Sequence, residues 1–186
     1  ATVAAGPEAS LADAESLGEL FMLPRRLTKP VVAAVHGRAL AGGCGLATAC
    51  DLVLAADDAQ FGYPEVKLGF VPAMVMAILR RSVGEKRAFE LIALGDTIDA
   101  ATAIEFGLVN RVYPATEFDA RVEEFLGRLT RRSASALALS KRLLYDIDGA
   151  SFEESIHAGA RVNVAARMTE DCMEGVRRFL EQRKGT

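Results

Sequence analysis

The chain has 186 residues, a net charge of −3, and 51% hydrophobic and 25% charged side chains, the composition of a folded domain with a real core. No basic excess points to nucleic acid, no apolar run nears the ~20 residues of a membrane helix, and the first ten residues carry no signal-peptide pattern. Three cysteines without CxxC spacing (Cys44, Cys50, Cys172) and two distant histidines (His36, His157) argue against a metal site or a disulfide framework; they predict small buried or half-buried thiols in a reducing, cytoplasmic setting.

Along the chain, Leu11, Leu17, Leu20, Phe21 and Leu27 recur at near-helical spacing and predict a helix that ends before Pro30. Val31–Val35 is an unbroken run of valine and alanine, the pattern of a strand covered on both faces in a parallel sheet; His36 and Gly37 end it. Gly42 and Gly43 open a short helix of small residues, Cys44 to Cys50. Two further strands are predicted at Asp51–Ala56 and Ala59–Tyr63, so strand, helix and strand follow one another in a tight α/β unit.

From Ala73 the chain reads as mostly helix. Ala73–Ser82 and Glu85–Leu94 are separated by Gly84. Asp99 is an N-cap for a helix through Phe106 that stops at Gly107. Val109–Tyr113 predicts a late strand. Helices follow near Glu117–Arg131 and Ser133–Ile147. Ser151 with Glu154 forms a capping-box signature. Thr169 caps a final helix whose basic end (Arg177, Arg178, Arg183, Lys184) suits the helix dipole.

Two segments carry chemistry. Ala41-Gly42-Gly43 lies at a strand-to-helix turn, where free N–H groups and the positive end of the helix dipole suit a developing oxyanion. The same glycines also fit a tight turn that needs them only for their dihedrals. Glu65 follows Pro64 among Phe61, Val66, Leu68 and Phe70. A carboxylate desolvated there suits proton transfer, while a surface glutamate beside Lys67 fits the same residues.

Residues 27–72, LTKPVVAAVHGRALAGGCGLATACDLVLAADDAQFGYPEVKLGFVP, resemble the enoyl-CoA hydratase/isomerase (crotonase) family almost position by position. The likeness continues through residues 83–114 and into the tail EGVRRFLEQRK, residues 174–184. It implies an α/β fold, a superhelix of ββα turns (residues 1–114), followed by a C-terminal helical trimerisation region (residues 115–186). It also implies a homotrimer or dimer of trimers that stabilises the enolate of an acyl-CoA thioester between two backbone N–H groups. No cofactor or metal is implied, because coenzyme A arrives as part of the substrate. By resemblance, Glu65 is the proton carrier and Gly42 an oxyanion donor. Leu40, Gly43, Gly45, Pro64 and Met74 face the substrate, and Met74, Val75 and Met76 read either as acyl-pocket lining or as core. His36 is expected to make a structural hydrogen bond.

The chain departs from the family pattern twice. Hydratases resembling it carry a glutamate where Gly45 stands, twenty residues before Glu65. A pair of carboxylates suits hydration, whereas one suffices to move a proton in Δ3-Δ2 isomerisation, and glycine there leaves room for a branched acyl chain. Residues 68–84, LGFVPAMVMAILRRSVG, resemble hydratases instead. At the front, nothing in ATVAAGPEAS matches the family's second oxyanion-donor loop, which implies a chain shortened at its N-terminus. The expected function is therefore an enoyl-CoA hydratase. An isomerase using Glu65 alone is the alternative, and a non-catalytic binding subunit of this fold the rival. A nucleotide-binding module is disfavoured, since neither GxGxxG nor GxxxxGK occurs.

Overall fold

Proline and glycine divide the chain into short elements whose order follows its apolar runs. The computed structural model describes residues 6–184; residues 1–5, part of the front segment in which the second oxyanion-donor loop was sought, lie outside them. Helix α1 spans Pro7–Arg26, then come β1 (Val32–Val35), β2 (Arg38–Leu40), α2 (Gly42–Ala49), β3 (Leu52–Ala56) and β4 (Gln60–Gly62). A 3₁₀ turn, Pro64–Leu68, leads to α3 (Met76–Val83), α4 (Glu85–Leu94), β5 (Thr97–Asp99), α5 (Ala100–Glu105) and β6 (Arg111–Tyr113). Helices α6 (Phe118–Thr130), α7 (Ala134–Asp146), α8 (Phe152–Arg167) and α9 (Glu170–Lys184) complete it.

The strands form two three-stranded sheets, ordered β1-β3-β6 and β2-β4-β5. In the first, β1 pairs parallel to β3 with Val32 opposite Leu52, and β3 pairs parallel to β6. In the second, β2 runs parallel to β4 with Leu40 opposite Gly62, and β5 is antiparallel to β4. Each unit of two strands and a helix therefore repeats about twenty residues on, and equivalent strands of successive turns stack into the same sheet. This is the expected ββα superhelix. In its second turn, the 3₁₀ segment Pro64–Leu68 takes the place that α2 holds in the first.

Contacts divide the chain into two units: residues up to Pro24 with Val31–Glu123, and Arg25–Pro30 with the chain from Glu124 onward. The first has a core of small and aromatic side chains, with Phe21, Cys44, Leu54, Phe61, Tyr63 and Leu79 almost wholly buried. Burying each large apolar side chain contributes roughly 1.5–3 kcal/mol. Side chains also tie its strands together: Asp51 Oδ2 accepts from Val31 N–H at 2.6 Å, and Asn110 Oδ1 accepts from Val53 N–H at 2.7 Å. In the second unit, Arg25 pairs with Asp148 at 3.2 Å and stacks over Tyr145, while buried Lys141 donates to the Lys29 carbonyl at 2.8 Å. Asp171 there accepts from the hydroxyls of Ser133 and Ser135.

Several expectations need correction. β1 is an edge strand with Ala34 exposed; the strand buried on both faces is β3, in the middle of its sheet. Strands β2 and β5 were not foreseen, because three residues are too few to establish an alternation. Helix α3 starts at Met76 rather than Ala73. In α1 only Phe21 and Pro24 are buried, whereas Leu11, Leu17 and Leu20, and Leu27 just beyond the helix, are exposed. The cap signals hold: Asp99 accepts from Thr102 N–H, Ser151 and Glu154 form the full capping box, and Thr169 caps α9.

Candidate active site

Both chemistry-bearing segments leave the carboxyl ends of adjacent parallel strands. β2 ends at Leu40 and β4 at Gly62, opposite one another in register. The crevice outside the carboxyl ends of parallel strands is where α/β sheets place ligands.

On the β2 side, Ala41 turns the chain into α2. It holds φ 51° and ψ −126°, the one non-glycine with positive φ among the described residues, a strain on the order of 1–3 kcal/mol. Two bonds stabilise the turn: Ala41 N–H donates to the Gly62 carbonyl at 2.9 Å, and Gly45 N–H donates to the Ala41 carbonyl at 2.9 Å. As alanine offers no side-chain acceptor, the helix start has no capping bond. The N–H groups of Gly42 and Gly43 thus lack both a helical acceptor and a cap. A Cβ on either glycine would meet no atom within 4 Å, so open space lies beside them.

On the β4 side, Pro64 starts the 3₁₀ turn that carries Glu65, and Gly69 ends it in the left-handed conformation. Glu65 is half-buried, and its Oε2 is buried without any hydrogen-bond partner. Such an oxygen costs on the order of 1–3 kcal/mol unless a ligand satisfies it. The apolar residues that follow it do not cover it, contrary to expectation: Val66, Leu68 and Phe70 are exposed, Leu68 at 89%. Its surroundings come instead from the end of β4 and from α2. The charge of Glu65 acts on both Cys44 and Tyr63, which are fully buried. Burial pushes the Cys44 thiol up, opposed by hydrogen bonds from Tyr63, Gly62 and Thr48, with Glu65 adding to the rise. Burial likewise drives the Tyr63 phenol well above its usual value. Both groups are neutral at neutral pH.

Gly45 does not open onto a vacant acyl pocket. A Cβ there would lie 2.3 Å from Val75 Cγ1 and 3.1 Å from Phe21 Cζ, so the protein's own core occupies the space. The expected room for a branched acyl chain is therefore already filled. Val75 is buried, Met74 is half-buried against the same core, and Met76 is exposed. Leu40 and Pro64 flank the two strand ends, each half-buried. His36 is exposed and stands edge-on to Phe118, ring centroids 6.5 Å apart, in place of the expected hydrogen bond. The sequence pattern marked Ala41 as part of the glycine turn but not Thr48 or Tyr63; the one available signal was the i, i+4 spacing of Cys44 and Thr48 on a helix of small residues. Among the described residues, no group of three or more His, Cys, Asp or Glu could hold a metal ion.

An uncapped helix N-terminus set beside an unsatisfied carboxylate defines a site that can polarise a carbonyl and move one proton. The chain belongs to the enoyl-CoA hydratase/isomerase family, which it matches over residues 4–186. It is 40% identical over 178 residues to a Thermus thermophilus protein whose enoyl-CoA hydratase name is provisional, covering 96% of this chain and 70% of that protein. It is 37% identical to the crotonyl-CoA hydratase of Syntrophomonas wolfei, covering 91% of this chain and 66% of that one. The crystal structure of an enoyl-CoA hydratase from Mycobacterium smegmatis superposes with a TM-score of 0.94 at 30% identity, over 98% of this chain and 71% of that one. The chain spans 60% of the length of a mycobacterial relative it also matches.

Proposed function

We propose that this protein is an enoyl-CoA hydratase in which Glu65 serves as both base and acid. The observation that carries this reading is the buried, unpartnered Oε2 of Glu65 at the end of β4, beside the uncapped start of α2 on β2. The thioester oxygen accepts from Gly42 N–H, which draws electron density from C3. Water adds to C3 as its proton passes to Glu65, and the C2=C3 electron pair moves into an enolate. Glu65 then returns that proton to C2, so one water is added and the carboxylate is restored. No further cofactor takes part. The names borne by the relatives support hydration.

Gly45 favours a second reading. With no side chain there and the space held by Val75 and Phe21, Glu65 is the carboxylate left to act. Taking a proton from C2 of a 3-enoyl thioester and returning it to C4 is isomerisation. The expected assembly is a homotrimer or dimer of trimers, and cysteines held as thiols fit a reducing cytoplasm. Among the described residues, no helix is long and apolar enough to cross a membrane.

The test is Glu65→Gln in the protein at its natural length, assayed with 2-enoyl and 3-enoyl thioesters. Loss of both activities by at least ~10²-fold is expected. Retention of both would overturn Glu65 as the proton carrier, a wild type without either activity would leave the binding-subunit rival, and the ratio of the two wild-type rates decides between hydratase and isomerase.

A further inference from the structure

A buried hydrogen-bonded chain joins the two halves of the site. Thr48 Oγ1 lies 2.8 Å from the Cys44 carbonyl, one turn earlier in α2, and 2.7 Å from the Tyr63 hydroxyl. A carbonyl only accepts, so the single Thr48 proton goes to Cys44, and Tyr63 O–H must donate to Thr48. The direction of the chain is thereby determined: Tyr63 to Thr48 to the Cys44 carbonyl. The Cys44 thiol is buried against the same group, where Tyr63, the Gly62 backbone and Thr48 oppose the rise that burial imposes on it. Tyr63 and Cys44 are each 0% exposed and Thr48 is 7% exposed.

The ends of this chain matter. Gly62 and Tyr63 are the residues just before Pro64 and Glu65, and Cys44 follows Gly42 and Gly43. The network thus links the residues leading to the carboxylate with the first two turns of the helix whose N–H groups face open space. A phenylalanine would fill the Tyr63 site equally well by shape, so packing alone does not call for the hydroxyl. A buried hydroxyl earns its place only by being paired. Between these strand ends, beyond the ladder itself, Ala41 N–H donates to the Gly62 carbonyl; that bond lies before the helix, so the first turns of α2 are held by the network and by the packing of Gly45 against Val75 and Phe21.

We propose that Tyr63 is a positioning residue, which through Thr48 and Cys44 holds the start of α2 in register with Glu65 for the proton-transfer step. It touches neither substrate nor reacting atoms. This rests on the function proposed above: the N–H groups and the carboxylate act on atoms two bonds apart in one thioester, so a small tilt of α2 misaligns them. Burial keeps Tyr63 and Cys44 protonated, so the network bears no charge and offers no competing base.

The experiment uses the protein at its natural length and four variants, Tyr63→Phe, Thr48→Val, Thr48→Ser and Glu65→Gln, each measured for kcat, KM and melting temperature. Tyr63→Phe and Thr48→Val are expected to lower kcat about 10-fold with KM within about 2-fold of wild type. Thr48→Ser, which retains the hydroxyl, is expected to restore most of kcat. If Tyr63→Phe lowers only the melting temperature and leaves kcat unchanged, the network is structural and the proposal is overturned. Should Thr48→Ser be as slow as Thr48→Val, the hydroxyl relay is wrong and the proposal falls as well. If Tyr63→Phe does not fold, the Thr48→Val and Thr48→Ser pair decides alone. Failure of the underlying function would look different: wild type and Glu65→Gln would then have equal activity, whatever Tyr63 does.

Discussion

Gly45 shows how one missing side chain can be read two ways. From sequence, the absent Cβ looks like room made for substrate. In the structure, Val75 Cγ1 stands where the Cβ would be, so α2 and the residue preceding α3 interlock there. Gly45→Ala forces Val75 to move, and overpacking of this kind costs about 1–3 kcal/mol. Urea unfolding should show that loss, and Val75→Ala in the same chain should recover a large part of it, since touching residues couple. Additive effects of the two changes would show that the contact is looser than the structure has it. The same crowding explains why a glutamate cannot simply be restored at position 45 to test two-carboxylate hydration. Glu65 itself was legible in the sequence as a residue, but its environment was not. The groups its charge acts on are Cys44 in α2 and Tyr63 at the end of β4, not the apolar residues beside it in the chain.

At the scale of elements, helix starts were the most legible features, because a cap is a local bond between residues three apart. Two carboxylates make such local bonds, and a third, Asp171, is bonded by serines more than thirty residues away. Thr102 N–H holds Asp99 below the usual carboxylate range, Ser151 does so for Glu154, and Ser133 with Ser135 for Asp171. Folding lowers these pKa values, so the folded chain binds fewer protons than the unfolded one. Their stabilisation is present above the ordinary carboxylate range, near pH 4, and is lost as pH falls through it and below. Asp99→Asn and Glu154→Gln keep a cap but cannot titrate. Together they should leave the melting temperature near pH 7 little changed and make its fall between about pH 5 and 3 shallower. An unaltered slope in the double variant would show that other groups drive the acid transition. Short strands were the least legible elements. β2 and β5 have three residues each and exist because β4 lies between them.

Across the whole molecule, each unit leaves large apolar side chains uncovered. In the first, Leu68, Phe70, Val71 and Phe89 are exposed; in the second, Phe152, Val176, Phe179 and Leu180 are. Single exposed apolar residues are ordinary, but this many large ones in each unit mark surfaces that associate. Closed symmetric assembly of identical chains is the usual outcome, in keeping with the trimer or paired trimer proposed. Sedimentation or light scattering of the protein at micromolar concentration should give an oligomer of at least three chains. A stable monomer would overturn that expectation.

The sequence by itself determined the α/β class, the family, the helix caps, the pairing of a glycine-opened helix with Glu65, and that the thiols are buried or half-buried. Each of these depends on contacts within a few residues or on a recurring motif, so a one-dimensional pattern carries it. Only the tertiary structure decided which strand is central, what fills the space over Gly45, and that Tyr63, Thr48 and the Cys44 carbonyl form one hydrogen-bonded chain. Residues 44 and 63 meet because β2 and β4 are neighbours in register, with Leu40 opposite Gly62, and that juxtaposition depends on the pitch of the superhelix. Pitch is set by packing across turns, between residues far apart in the chain, and no local propensity reports it.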